Sequence, residues 1–155
     1  MKKAKAFTLL EIILVCAALG IVLTVVSLLL FGKQAELRDA KRLSDLKALR
    51  DAMQLVKNEK GTFEATRCPL ISVSACAKEG SSELLKYMTD LSSIKDPKNS
   101  TQPCTMQNCE NDVCDYSFVS ILPNEFQILF HLEKGVAEIG DRGCYLLTEK
   151  GFKKL

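Results

Sequence analysis

The sequence predicts an α+β chain: one long N-terminal α-helix with a transmembrane first half, packed on a small C-terminal antiparallel β-sheet. Three observations carry that prediction. Residues 7–31, FTLLEIILVCAALGIVLTVVSLLLF, contain one carboxylate and no basic residue. Residues 33–60 contain neither Pro nor Gly and are rich in Lys, Leu, Ala, Glu, Gln and Arg, all good helix formers. Near the C-terminus, three strand-like runs alternate with turn residues. The composition fits one ordinary domain plus this apolar segment: 155 residues, formal net charge +2, 8 Gly and 4 Pro. That excludes a collagen-like or low-complexity chain, and +2 is too small a charge to point to nucleic acid.

The helix begins in the apolar run. About 20 apolar residues at 1.5 Å each cross the hydrocarbon of a bilayer, so 7–31 is long enough. Lys2, Lys3 and Lys5 precede it with no acid among them. By the positive-inside rule this flank stays cytoplasmic and the rest of the chain lies outside. A secretory signal peptide has a shorter apolar core, about 7–15 residues, and a small-x-small cleavage site, which FGKQAEL does not offer. A plain N-terminal anchor fits the hydropathy but leaves Glu11 unexplained. A carboxylate inside a membrane segment is costly and marks function by default. Thr8-Leu9-Leu10-Glu11 also fits a capping box, in which Glu11 reaches back to the helix start. A cap does not explain why a helix should start inside the apolar run. Cleavage between Ala6 and Phe7 does, since it leaves a new α-amino group on Phe7, able to neutralise Glu11 of a neighbouring chain.

Beyond the membrane the same helix continues, from about residue 7 to residue 60, with Gly61 as its C′ residue. Leu43, Leu46, Leu49, Met53 and Val56, with Ala52 beside them, form an apolar stripe at 3–4 spacing that requires a cover. Arg38, Lys41, Arg42 and Asp45 fall on another face, read as solvated. From residue 64 to 111 the pattern is irregular. Residues 81–91 read as a short helix capped by Ser82 or Ser81, and 96–100 (DPKNS) as a turn. Residues 116–122 and 125–133 form a hairpin about Pro123-Asn124, and 143–148 form a third strand. Phe118, Phe126, Ile128 and Phe130 are core candidates, and His131 is an ordinary strand residue, with no second His to complete a metal site.

Seven cysteines are present. Cys16 lies in the membrane run and serves there as a small apolar residue. Outside the cytoplasm, the remaining six (Cys68, Cys76, Cys104, Cys109, Cys114 and Cys144) read as up to three disulfides, and their fifteen pairings are not resolved by spacing. The working assignment pairs Cys68 with Cys76, Cys104 with Cys109, and Cys114 with Cys144. Cys104-x4-Cys109-x4-Cys114 also admits a zinc reading, but without the tight Cys pairs of structural sites. No Cys-x-x-Cys, phosphate loop, nucleophile elbow or His-Glu-x-x-His occurs, so no enzyme, cofactor or metal is expected. Asn99-Ser100-Thr101 marks an exposed loop.

The string KKAKA-FTLLEIILV closely resembles the class III leader of type IV pilins and type II secretion pseudopilins. Residues 38–63, RDAKRLSDLKALRDAMQLVKNEKGTF, also look like the corresponding part of pseudopilins and minor pilins, so the resemblance spans 1–63. It implies a pilin-like fold and four parts: leader 1–6, membrane and assembly helix 7–31, amphipathic helix 32–60, and a disulfide-containing globular domain 61–155. It implies that a prepilin peptidase and methyltransferase removes the leader at Ala6, where the family usually has Gly, and N-methylates Phe7. Glu11 would register the subunit in the filament. The partners implied are the inner membrane, like or unlike pilin subunits and the assembly machinery, with no nucleic acid. The implied place is the inner membrane, with the C-terminal domain extracytoplasmic, and then a periplasmic or surface filament. The membrane run lacks the proline many members carry near the position of Leu28, which predicts a straighter helix. The segment 138–143 (EIGDRG) is too short for the calcium loop of the major pseudopilins, so calcium is not carried over. Loss of Lys2, Lys3 and Lys5 takes the formal side-chain charge from +2 to −1. The alternatives are a monomeric, membrane-anchored extracytoplasmic binding module and, less consistent with the motifs, a thiol or metal enzyme.

Overall fold

The computed structural model describes residues 9–78, 80–111 and 113–155, without the side chains of 29–32. The chain divides into two compact units, Met1–Ala35 and Glu36–Leu155. Helix α1 runs over Leu9–Lys60, as the composition predicts, and is the one described helix long and apolar enough to cross a membrane. In the first unit its apolar side chains are exposed, Leu9, Ile13, Ile21 and Leu28 among them. Its hydroxyls are satisfied internally. Thr24 Oγ1 donates to the Gly20 and Ile21 carbonyls and Ser27 Oγ to the Leu23 carbonyl, each at 2.8 Å. That is the arrangement a polar group requires in lipid.

In the second unit, α1 ends at Lys60, where Gly61 takes φ +78 and its N–H donates to the Lys57 carbonyl at 2.7 Å. Glycine adopts this left-handed C′ conformation without the penalty other residues meet. Thr62 then caps a 3-10 turn over Phe63–Thr66. The sheet is antiparallel, in the order β1 (Ser117–Ile121), β2 (Phe126–Val136), β3 (Gly140–Thr148) and β4 (Gly151–Lys154). The fold class is therefore α+β, a long helix with a small sheet. The hairpin about Pro123-Asn124 closes with the Leu122 N–H on the Glu125 carbonyl. β2 and β3 both extend beyond the predicted runs, and β4 is an addition that follows a two-residue turn.

The helix stripe finds its cover in the sheet. Leu46, Leu49, Ala52, Met53 and Val56 share one buried cluster with Phe118, Phe126, Ile128, Phe130 and Leu132. The sheet's other face carries a second, smaller cluster of Leu129, Leu146, Cys104, Cys109 and Cys114. The alternation of a strand separates the two: Phe130 and Leu132 face the helix, Leu129 the disulfide loop.

One predicted element is shorter in the structure. Only Leu84–Tyr87 (α2) of residues 81–91 is α-helical, and Leu91–Ser93 forms a separate 3-10 turn. Ser82 Oγ does accept the Leu84 N–H at 3.3 Å, but it also donates to the Thr66 carbonyl at 2.5 Å, which ties the helix start to the preceding turn. A helix this short is not self-sustaining; burial of Leu84 and Leu91 holds both pieces.

Candidate functional site

Lys2, Lys3, Lys5, Ala6 and Phe7, the residues read as leader, cleavage site and methylation site, lie outside the described residues. Glu11 sits in the first turn of α1 on an exposed stretch of apolar side chains. Cys16, five residues on, is exposed and outside every disulfide, and the other six cysteines are paired. The partition of seven into one and six thus holds.

The pairing differs from the working assignment in two of its three bonds. Cys68–Cys76 forms as assigned, but Cys104 bonds Cys114 and Cys109 bonds Cys144. The reason is a folded-back loop. Pro103 bridges Asp115 in parallel, and the Cys104 N–H donates to the Asp115 carbonyl at 2.8 Å, so the ends of the loop meet. Cys109, in a 3-10 turn at the middle of the loop, is left facing the sheet's outer surface and β3. All three cysteines of the zinc reading are consumed by these bonds. Among the described residues, no group of three or more His, Cys, Asp or Glu side chains is arranged to hold a metal. His131 lies in β2 opposite Cys144.

Of the helix face read as solvated, Lys41 is exposed and Arg38 half-buried, but Arg42 and Asp45 are buried, which corrects that reading. Arg42 is only 1% exposed and Asp39 fully buried. The Arg42 guanidinium holds Asp96 bidentately, Nε to Oδ2 at 2.6 Å and Nη2 to Oδ1 at 3.0 Å. Its Nη1 donates to Asp39 Oδ1 at 2.7 Å and to Glu133 Oε1 at 2.6 Å. Arg38 grips Glu133 from the other side through Nε and Nη2, at 2.7 and 2.6 Å, and Lys98 Nζ stands 3.1 Å from Glu133 Oε2. Three cations thus meet three carboxylates, the balance a buried cluster requires.

Asp39 reaches further. Its Oδ1 accepts the Glu133 N–H at 2.9 Å, and its Oδ2 accepts those of Lys134 and Gly135 at 2.8 and 2.9 Å. These three amides converge because β2 bulges between Leu132 and Gly135. Gly135 takes φ +99, and a Cβ there would stand 2.4 Å from the Gly140 carbonyl oxygen. The bulge therefore needs glycine. Asp96 supports the far side. It heads the predicted turn, its carbonyl accepting the Asn99 N–H and its Oδ1 the Lys98 N–H. Its own N–H donates to Asp115 Oδ1 at 2.9 Å.

Electrostatics fix these charges. Burial alone would push the Glu133 carboxyl up, but the hydrogen bonds from Arg38, Arg42 and Lys98 outweigh it and hold it down at about 2. Burial alone would lower Arg42, and Asp96, Asp39 and Glu133 together raise it well above its ordinary value. Burial raises the Asp115 carboxyl and, with Asp96 and Asp45 nearby, the Tyr116 phenol. Near neutral pH Arg42 and Glu133 therefore stay charged, and the cluster acts as a clamp joining α1, the turn at Asp96 and β2. No family model, no curated protein and no solved structure matches the chain.

Proposed function

We propose that this chain is a structural subunit of a pilin-like filament, a type II secretion pseudopilus or a type IV pilus. A prepilin peptidase processes it, and it polymerises through its N-terminal helix. One observation carries the reading: a basic leader, Ala6-Phe7, Thr8-Leu9-Leu10-Glu11 and a long apolar run occur together in one string. The exposed apolar side chains of α1 support it, because such a surface is covered by lipid before assembly and by other copies of the helix afterwards. Removal of the leader places the Phe7 amine within reach of Glu11 on a neighbour. A charge pair in lipid stabilises only when both partners are present, so this pair sets the register.

Mass spectrometry of the mature N-terminus tests the proposal directly. An N-methylated Phe7 is the expected result. An intact Met1 would instead favour the monomeric anchored module. Glu11→Ala should abolish filaments while the chain still inserts in the membrane, and normal filaments from that variant would remove the registration role.

A further inference from the structure

The three disulfides do not present the same chemistry to solvent. Cys104 and Cys114 are both buried. Cys76 is fully buried, and its half-buried partner Cys68 has its Sγ 3.7 Å from both the Thr66 carbonyl oxygen and Ser82 Oγ, an acceptor-rich setting that disfavours an approaching anion. Cys109 and Cys144 differ: both line an open cleft of about 530 Å³ between the disulfide loop and the sheet. Cys144 is half-buried there, Cys109 almost fully buried behind it.

Two cations line the same cleft. Among the described residues the Arg142 side chain, at the start of β3, has no hydrogen bond or ion pair. Lys154 has no carboxylate within ion-pair distance, and its ammonium lies 5.8 Å from the centre of the Tyr145 ring. The Lys154 side chain crosses Gly143, with its Cε 3.2 Å from where a Cβ would stand. Most of the other cations of this unit are matched to carboxylates, as Lys47 is to Glu138 and Lys134 to Glu36. Glu110 is the acidic side chain among the cleft's lining residues.

We infer that Cys109–Cys144 is a thiol-exchange site, open to a dithiol reductant of small-molecule or protein origin. The reductant's thiolate attacks Cys144 Sγ, the accessible sulfur, drawn there by Arg142 and Lys154. The Cys109–Cys144 bond breaks, a mixed disulfide forms on Cys144, and Cys109 leaves as a thiolate that takes up a proton. The reductant's second thiolate then closes its own disulfide and releases Cys144 as a thiolate, which is protonated in turn. The reductant loses two electrons and the cysteine pair gains them. Exchange rates follow access to the attacked sulfur and the local field met by the attacking thiolate, and the open cleft and the two cations favour attack at Cys144. Cys104–Cys114 still closes the loop on itself, so the change is local: the loop's middle is freed from β3 and the cover over Leu129 and Leu146 loosens.

The test uses the full chain in detergent micelles, limiting dithiothreitol, timed alkylation and peptide mass mapping. Cys109 and Cys144 should label first, about tenfold faster than the other four. Earlier labelling of Cys68 and Cys76, or simultaneous opening of all three bonds, would overturn the inference. Arg142→Glu with Lys154→Glu should slow that opening about threefold at low ionic strength and less at high salt. Arg142→Gln, which removes one charge, should slow it less. A wild-type rate in both variants removes the role of the cations. Amide hydrogen exchange after opening should rise at Leu129 and Leu146 while α1 between Leu46 and Val56 stays protected, and a uniform rise would overturn the local release.

Discussion

The two faces of the sheet are covered by different means. The inner face meets α1, which brings Leu46, Leu49, Met53 and Val56 and, one turn earlier, the ion clamp of Asp39 and Arg42. The outer face meets a loop whose buried apolar contribution is little more than its own sulfurs against Leu129 and Leu146. A helix supplies enough apolar area to hold most of its face by packing, with the ion clamp and the Cys68–Cys76 bond at its margins. A short irregular loop does not, and covalent bonds take over the task, as they do wherever a core is too small.

That contrast can be broken at several points. Arg42→Ala should have the largest effect, because it leaves Asp39, Asp96 and Glu133 buried without their shared cation. A loss of about 3–5 kcal/mol, read from urea unfolding of the full chain in detergent, is expected. Removing the outer staple with Cys109→Ser and Cys144→Ser should cost less, about 2–4 kcal/mol, with protection on the helix side retained. Gly135→Ala forces a Cβ against the Gly140 carbonyl at positive φ and should cost about 1–3 kcal/mol, with amide exchange rising first at Glu133 and Lys134. Lys47→Ala removes a solvent-exposed pair with Glu138 and should change stability by less than about 1 kcal/mol.

Acid offers a graded probe of the inner face. The folded-state Glu133 carboxyl titrates at about 2, against an ordinary value of 4.5. A carboxyl lowered by folding contributes stability that is fully present above its unfolded pKa and is lost as pH falls through the folded one. The melting temperature should therefore drop between pH 4.5 and about 2. Glu133→Gln should lower it at neutral pH and flatten that acid limb. An unchanged limb in the variant would show that other carboxyls carry the transition.

Much of this was legible in the residues. The helix, its C′ glycine, the stripe and the first hairpin follow from propensity and periodicity. The helix half of the clamp is legible too. Stepping back from Leu46 by four and then three residues reaches Arg42 and Asp39, so these charges lie on the apolar stripe and not opposite it. Their partners Asp96 and Glu133 are distant in sequence, and no local pattern announces them. β4, at four residues with two lysines, is too short and too polar to register as a strand. Cys109 stands five residues from both Cys104 and Cys114, so spacing offered no preference, and only the meeting of the loop ends decides the bond. The leader and Glu11 motif rests on sequence, with Phe7 outside the described residues.

The sheet's two margins have a consequence for self-association. Along β1, the Phe118 N–H is taken by the Ile71 carbonyl, and the Tyr116 carbonyl just before the strand by the Val73 N–H. At the opposite margin β4 is brief and ends in Lys153 and Lys154, which repel a like strand. Copies of this domain are thereby discouraged from joining strand to strand into a continuous ribbon. Such margins disfavour amyloid-like stacking of this domain at high local concentration.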